Sequence, residues 1–134
     1  MDEKFLLKLS NTILEDEEEL RFFEEEVINI DFNPEIIESI FRLFENNSKF
    51  DFGIPGYLVK FIEKHPTGKY LPELFKSIER NPTEYNLWML NRYLNTLDKI
   101  EKKHGIDLLN KIVELNNDTN IVKMAQRFLN KHSE

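Results

Sequence analysis

Cysteine is absent from this 134-residue chain, which excludes disulfides, thiolate metal sites and cysteine nucleophiles and makes a reducing compartment the expected address. No apolar run approaches the roughly 18 residues that a membrane span requires. The opening MDEKFLLKLSN lacks the cationic start and long apolar stretch of a signal peptide. The expectation is a soluble, cytoplasmic protein with no membrane partner. A basic stripe is missing too: 18 Lys and Arg face 25 Asp and Glu, for a net charge of −7. Nucleic-acid binding needs cations that release condensed counterions, so direct contact with nucleic acid is not expected, and a positively charged protein partner fits better.

Glycine and proline number only four and five, and apolar residues recur at helical steps nearly throughout. Both observations predict an all-α chain forming a single domain over residues 1–134. Phe5, Leu6, Leu9 and Ile13 mark a first helix over 2–14. Asp16 caps a second with Glu19 in support, burying Leu20, Phe23, Val27 and Phe22. Asn33 and Pro34 open a third, whose Ile36, Ile37, Ile40, Phe41 and Phe44 form a broad apolar face. The segment NNSKFDFGIPG is a loop that tucks Phe50, Phe52 and Ile54 inward. Pro55 opens a fourth helix running to His65, and Thr67 or Gly68 begins a fifth with Leu71, Leu74, Phe75 and Ile78 inward. A central helix, capped by Asn81 with Pro82 and Glu84, follows; its Leu87, Leu90, Leu94 and Leu97 form one stripe, widened by Met89 and Tyr93. It ends between Leu97 and His104, with Gly105 as the stop. Asp107 and Asp118 start the last two helices.

Seven or eight antiparallel helices are therefore predicted, joined by short turns. The pairs 34–45 with 55–65, 69–80 with 82–97, and 107–116 with 119–131 recur at roughly 35 to 40 residues, near the HEAT and armadillo period. A HEAT/armadillo-like α-α superhelical array is the expected arrangement, with one surface available to a partner.

The acidity is localised. Residues 1–51 hold 15 acids and 5 bases, a balance of −10, whereas residues 52–134 hold 10 acids and 13 bases, a balance of +3. Glu17, Glu18, Glu24 and Glu25 form an outer helical face with Glu26 beside them. Its plain reading is a solvated face favoured by the helix dipole; its functional reading is a phosphate-like surface that docks on a basic cleft. Trp88, Asn91, Arg92 and Asn95 lie at three- and four-residue steps on the central helix, either packing at a helix crossing or reading a partner. The three histidines, His65, His104 and His132, each fall near a predicted helix C-terminus, where a cation suits the dipole. No spacing matches an EF-hand, an HExxH zinc site, a P-loop or a nucleophile elbow, so no metal, no cofactor and no catalytic residue is expected.

Three blocks add a resemblance to this reading: FG-x-P-G from Phe52 to Gly56, L-x-x-S-x-x-R-x-P-T from Leu74 to Thr83, and W-M-L-N-R-x-L-N from Trp88 to Asn95. The span from Asp51 to Asn95 resembles a stretch of small bacterial immunity proteins from polymorphic toxin and contact-dependent growth inhibition systems. The resemblance implies a protein that is not an enzyme and that neutralises one cognate toxin domain, often a nuclease, by blocking its active site. The competing expectation is a helical-repeat adaptor unrelated to toxins.

Overall fold

The computed structural model describes residues 3–31 and 34–133, and among these it contains eight α-helices and no strand. In chain order they are α1 (Glu3–Asn11), α2 (Glu17–Ile28), α3 (Pro34–Asn46), α4 (Tyr57–Glu63), α5 (Thr67–Arg80), α6 (Glu84–Leu94), α7 (Lys103–Leu115) and α8 (Thr119–His132). The all-helical class is as predicted. Among the described residues no helix is long and apolar enough to cross a membrane. The chain gathers into two compact units, Met1–Ser77 and Ile78–Glu134. The closest helix packing is α1 on α3 in the first unit, and α7 on α8 and α6 on α8 in the second. Of the three sequence-adjacent pairs that the recurrence predicts, α7 with α8 is among these.

The first unit is built on α3. Ile36, Ile37, Ile40, Phe41, Leu43 and Phe44 are fully buried, and Phe44 meets Phe52 edge-on at 4.8 Å. On α2, Leu20, Phe23 and Val27 are buried as expected, while Phe22 is not. α1 stops at Asn11 instead of reaching residue 14, so Ile13 is exposed and Leu14 takes the buried place. Two amides at the end of α3 hold the chain there, and Asn47, just past Asn46, is the buried one. Its Oδ1 accepts from the Leu14 N–H at 2.7 Å, and its Nδ2 donates to the carbonyls of Thr12 and Leu43 at 2.8 and 2.9 Å. The first of these satisfies the Leu14 N–H, which a helix running to residue 14 would have paired with the Ser10 carbonyl, and that carbonyl instead accepts from Asn46 Nδ2 at 2.7 Å. Pro34 opens α3 as predicted; Asn33 lies outside the described residues. α4 begins at Tyr57, two residues after Pro55, because Gly56 at φ 90° serves as its N-cap residue. A Cβ on Gly56 would fall 1.8 Å from the Phe52 carbonyl oxygen, so only glycine fits this crossing. Phe52 is buried and Phe50 half-buried, but Ile54 points out.

In the second unit α6 begins two residues later than Asn81 and Pro82 suggest. Thr83 is the N-cap: its hydroxyl accepts from the Asn86 N–H at 3.2 Å, and the Asn86 Oδ1 accepts from the Thr83 N–H at 2.7 Å. This reciprocal pair satisfies two donors at once. Asn86 Nδ2 also donates to the Asn81 carbonyl at 3.0 Å, so Asn81 serves as an acceptor ahead of the helix. α6 ends at Leu94, and Leu97 lies in the following turn. Gly105 does not stop it; it lies inside α7, which starts at Lys103, ahead of Asp107. A Cβ there would come within 2.7 Å of Leu94 Cδ2, so the absent side chain lets α7 approach α6. Asp118 caps α8 as predicted, accepting from the N–H groups of Asn120 and Ile121.

Candidate binding faces

α2 carries its charge in three strips separated by helical geometry. Leu20, Phe23 and Val27 face the core, so at 3.6 residues per turn Glu18 and Glu25 point most directly away from it. Glu17, Arg21 and Glu24 run along one flank. Glu17 and Arg21 approach to 3.9 Å but are both largely exposed, a pair worth little in water. Glu24 is half-buried, and that burial raises its carboxyl above the usual 4.5, opposed by the Arg21 guanidinium. Glu24 in turn acts with burial to raise the Tyr57 phenol. Of the four acids predicted to form the docking face, Glu17, Glu18 and Glu25 are exposed, and Glu24 is half-buried.

Glu19, Phe22 and Glu26 occupy the opposite flank, toward α1. There Lys8, Asp16, Glu18, Glu19 and Phe22 line a broad-mouthed cleft of ≈ 350 Å³. Phe22, expected to face inward, remains 47% exposed. Its ring lies edge-on to buried Phe23 at 5.7 Å, and Lys8 Nζ sits 5.3 Å from its centroid. Asp16 is held in place by its cap bond to the Glu19 N–H at 2.9 Å. Glu19 Oε1 is buried and has no hydrogen-bond partner among the described residues. Sequence periodicity missed this cleft because it treats Phe22 as apolar and therefore internal. The helical angle between Phe22 and the Leu20, Phe23, Val27 stripe was the available signal.

The second unit divides the amide strip of α6. Asn91 is buried, and its Oδ1 lies 2.7 Å from the Nε2 of His132, so this residue joins α6 to α8 rather than facing a partner. Trp88 is half-buried, and Arg92 and Asn95 are exposed. His132 is 3% exposed. Its pKa is lowered from 6.5 by burial, with Lys102 and Lys131 adding to the effect. It is therefore a neutral hydrogen-bonding group at pH 7, not the cation that the helix-dipole argument expects. His65, just beyond α4, is also lowered, by burial and by Lys64, and His104 lies in the first turn of α7. A further cleft of ≈ 290 Å³ has Ile78, Leu108, Ile112 and Leu115 as its apolar wall, with Arg80 and Lys111 among its polar lining.

No group of three or more His, Asp or Glu side chains among the described residues is arranged to hold a metal ion. Comparison with family models, with curated proteins and with solved structures finds no match for this chain.

Proposed function

We propose that this chain is a bacterial immunity protein that binds a cognate toxin domain in the cytoplasm and covers its active site. The observation that carries the reading is the charge of the first unit, concentrated on the exposed side of α2. Glu17, Glu18, Glu25 and Glu26 stand where solvent, or a basic groove, can reach them. A nuclease toxin has such a groove for its substrate's phosphates. Carboxylates placed in it raise the association rate by long-range steering and add specificity through charge pairing. The resemblance of Asp51–Asn95 to immunity proteins supports the same reading from a different part of the chain. Trp88 and Arg92, residue types that often anchor interfaces, offer a second contact on α6.

The test is a titration of the full chain against the C-terminal domain of the large secreted protein encoded beside it, at low and moderate salt. Binding at about nanomolar Kd that weakens as salt rises supports the reading. Tight binding indifferent to salt retains immunity and moves the interface to the Trp88 face. Absence of binding overturns it in favour of a helical adaptor with another partner.

A further inference from the structure

We propose that the cleft of ≈ 290 Å³ in the second unit receives the C-terminal residue of a protein chain, with its apolar side chain against the cleft wall and its carboxylate on the cationic rim of Arg80 and Lys111. The site is independent of the acidic face of α2 and asks for the opposite charge in its occupant. Leu108, Ile112 and Leu115 stand at four- and three-residue steps on α7 and form one stripe. Leu108 and Ile112 are 8% and 6% exposed, and buried Ile78, from the last turn of α5, lines the same cleft. Leu115 ends the stripe and is 67% exposed. The apolar wall therefore runs past the cover that its own unit supplies, and an apolar group laid on it is drawn there by the water it displaces.

The charges on the cleft select the group attached to that apolar body. Arg80 and Lys111 line it together with Glu79, so two cations against one carboxylate leave a charge of +1 for an incoming anion to meet. Lys111 lies one helical turn from both Leu108 and Leu115, is exposed, and has no ion-pair partner among the described residues. Its stem can lie along the stripe while its ammonium stays at the rim. A C-terminal residue joins an apolar side chain and a carboxylate in one unit, which suits a single cleft offering both an apolar wall and cations. Sites that enclose a free ligand run from about 300 Å³ upward and bury most of its surface. This cleft stands at the foot of that range and leaves Leu115 bare on its lip, so the residues that precede the C-terminus supply the cover that a free acid lacks.

The probe is the tetrapeptide acetyl-Ser-Leu-Gly-Leu with a free C-terminus, titrated into the full chain and followed residue by residue by NMR. Its C-terminal amide and N-acetyl-leucine are the comparisons. Saturable shifts confined to Ile78, Arg80, Leu108, Lys111, Ile112 and Leu115 are expected. The amide should bind about threefold or more weakly, having lost the charge, and N-acetyl-leucine should also bind more weakly than the tetrapeptide because it leaves Leu115 uncovered. Lys111→Met should weaken the free acid about threefold and leave the amide unchanged, whereas Leu115→Ser should weaken both peptides and leave N-acetyl-leucine unchanged. Both positions are exposed, so the two variants should keep the urea midpoint of the natural chain. Equal affinity for acid and amide, or shifts that never saturate, overturn the proposal. N-acetyl-leucine binding as tightly as the tetrapeptide makes this a site for a free small acid and overturns the protein partner. Shifts at the same six residues as the chain alone is concentrated would seat a second copy in the cleft and overturn it as well.

Discussion

Residues 1–77 and 78–134 solve the problem of burying helices with different materials. The first unit holds ten of the eleven phenylalanines and 17 acids against 9 bases, a balance of −8; the second holds one phenylalanine and 8 acids against 9 bases, a balance of +1. Aromatic side chains bury large areas and gain further from edge-to-face contacts, and Phe41, Phe44 and Phe52 form such a chain of contacts. The second unit relies on leucines of α6 and α7 and on a buried polar pair, Asn91 with His132. Self-repulsion of like charges opposes compaction. The unit with the aromatic core is therefore the one equipped to carry a surface of one sign, and the near-neutral unit has no such load.

The contrast is broken most severely at the glycines. Gly56→Ala forces a side chain onto positive φ and drives its Cβ into the Phe52 carbonyl, a backbone atom that cannot yield. A loss of about 4 kcal/mol or more, or failure to fold, is expected. In Gly105→Ala the new methyl meets the tip of Leu94, a flexible side chain, and the expected loss is about 1 to 3 kcal/mol. Urea unfolding of both variants, read as midpoint and slope, checks the ranking; equal losses would contradict the structure at Gly56.

Asparagines give the next comparison. Asn47→Ala deletes three hydrogen bonds and leaves the Leu14 N–H and two carbonyls seeking partners, at a cost of about 2 to 4 kcal/mol. Asn91→Ala removes one partner of His132 and should cost about 1 to 3 kcal/mol. Asn91→Ala combined with His132→Leu should recover part of that loss, since no buried ring nitrogen is then left unpaired. A double-mutant cycle by denaturant unfolding measures the coupling.

These asparagines also show where sequence reading stops. The stripes Ile36, Ile37, Ile40, Phe41, Phe44 and Leu87, Leu90, Leu94 were legible because burial repeats with the helical turn. Asp16 and Asp118 were legible because a cap acts over three residues. Asn47, acting on Thr12 and Leu14 across more than thirty positions, leaves no local trace, and with Asn46, which donates to the Ser10 carbonyl, it holds the chain where α1 ends. The start of α6 was misplaced for a local reason: Asn81-Pro82 and Thr83 with Asn86 both resemble helix starts, and the reciprocal side-chain pair prevails over the proline. Of the proposed docking residues, the exposure of Glu17, Glu18 and Glu25 follows from the α2 period. The inward turn of Asn91 required knowledge of where His132 would lie.

Acidification should sharpen the comparison in the second unit. His132 has a lowered folded pKa, so its contribution to stability is fully present above 6.5 and is lost as pH falls through the folded value. Protonation would place charge on a ring whose Nδ1 is buried without an acceptor, beside Lys102 and Lys131. Glu24, raised above 4.5, has the opposite sign: the stability tied to its protonated form is present at low pH and lost as pH rises through its folded value. His65 in the first unit shares the sign of His132, being lowered by burial and Lys64. Thermal midpoints measured from pH 7.5 down to about 5 should fall less steeply for His132→Gln than for the natural chain, and His65→Gln serves as the control in the first unit. Parallel curves for His132→Gln and the natural chain would contradict a neutral, buried His132.

The smallest expected effect is that of salt on the exposed α2 carboxylates, and it separates structural from functional charge. Glu25→Gln removes one of a run of like charges without breaking a described contact, so stability at low ionic strength should stay within about 0.5 kcal/mol of the natural chain and move upward if it moves at all. At moderate salt, where the screening length falls to about 8 Å, that gain should vanish. The same substitution should slow association with the toxin domain at low salt, because steering depends on the summed field and not on any one contact. A variant that is slightly more stable and slower to bind indicates a face kept acidic for its partner. A variant that is less stable at low salt would instead show that Glu25 contributes to the fold, and the charge difference between the two units would then be a property of packing.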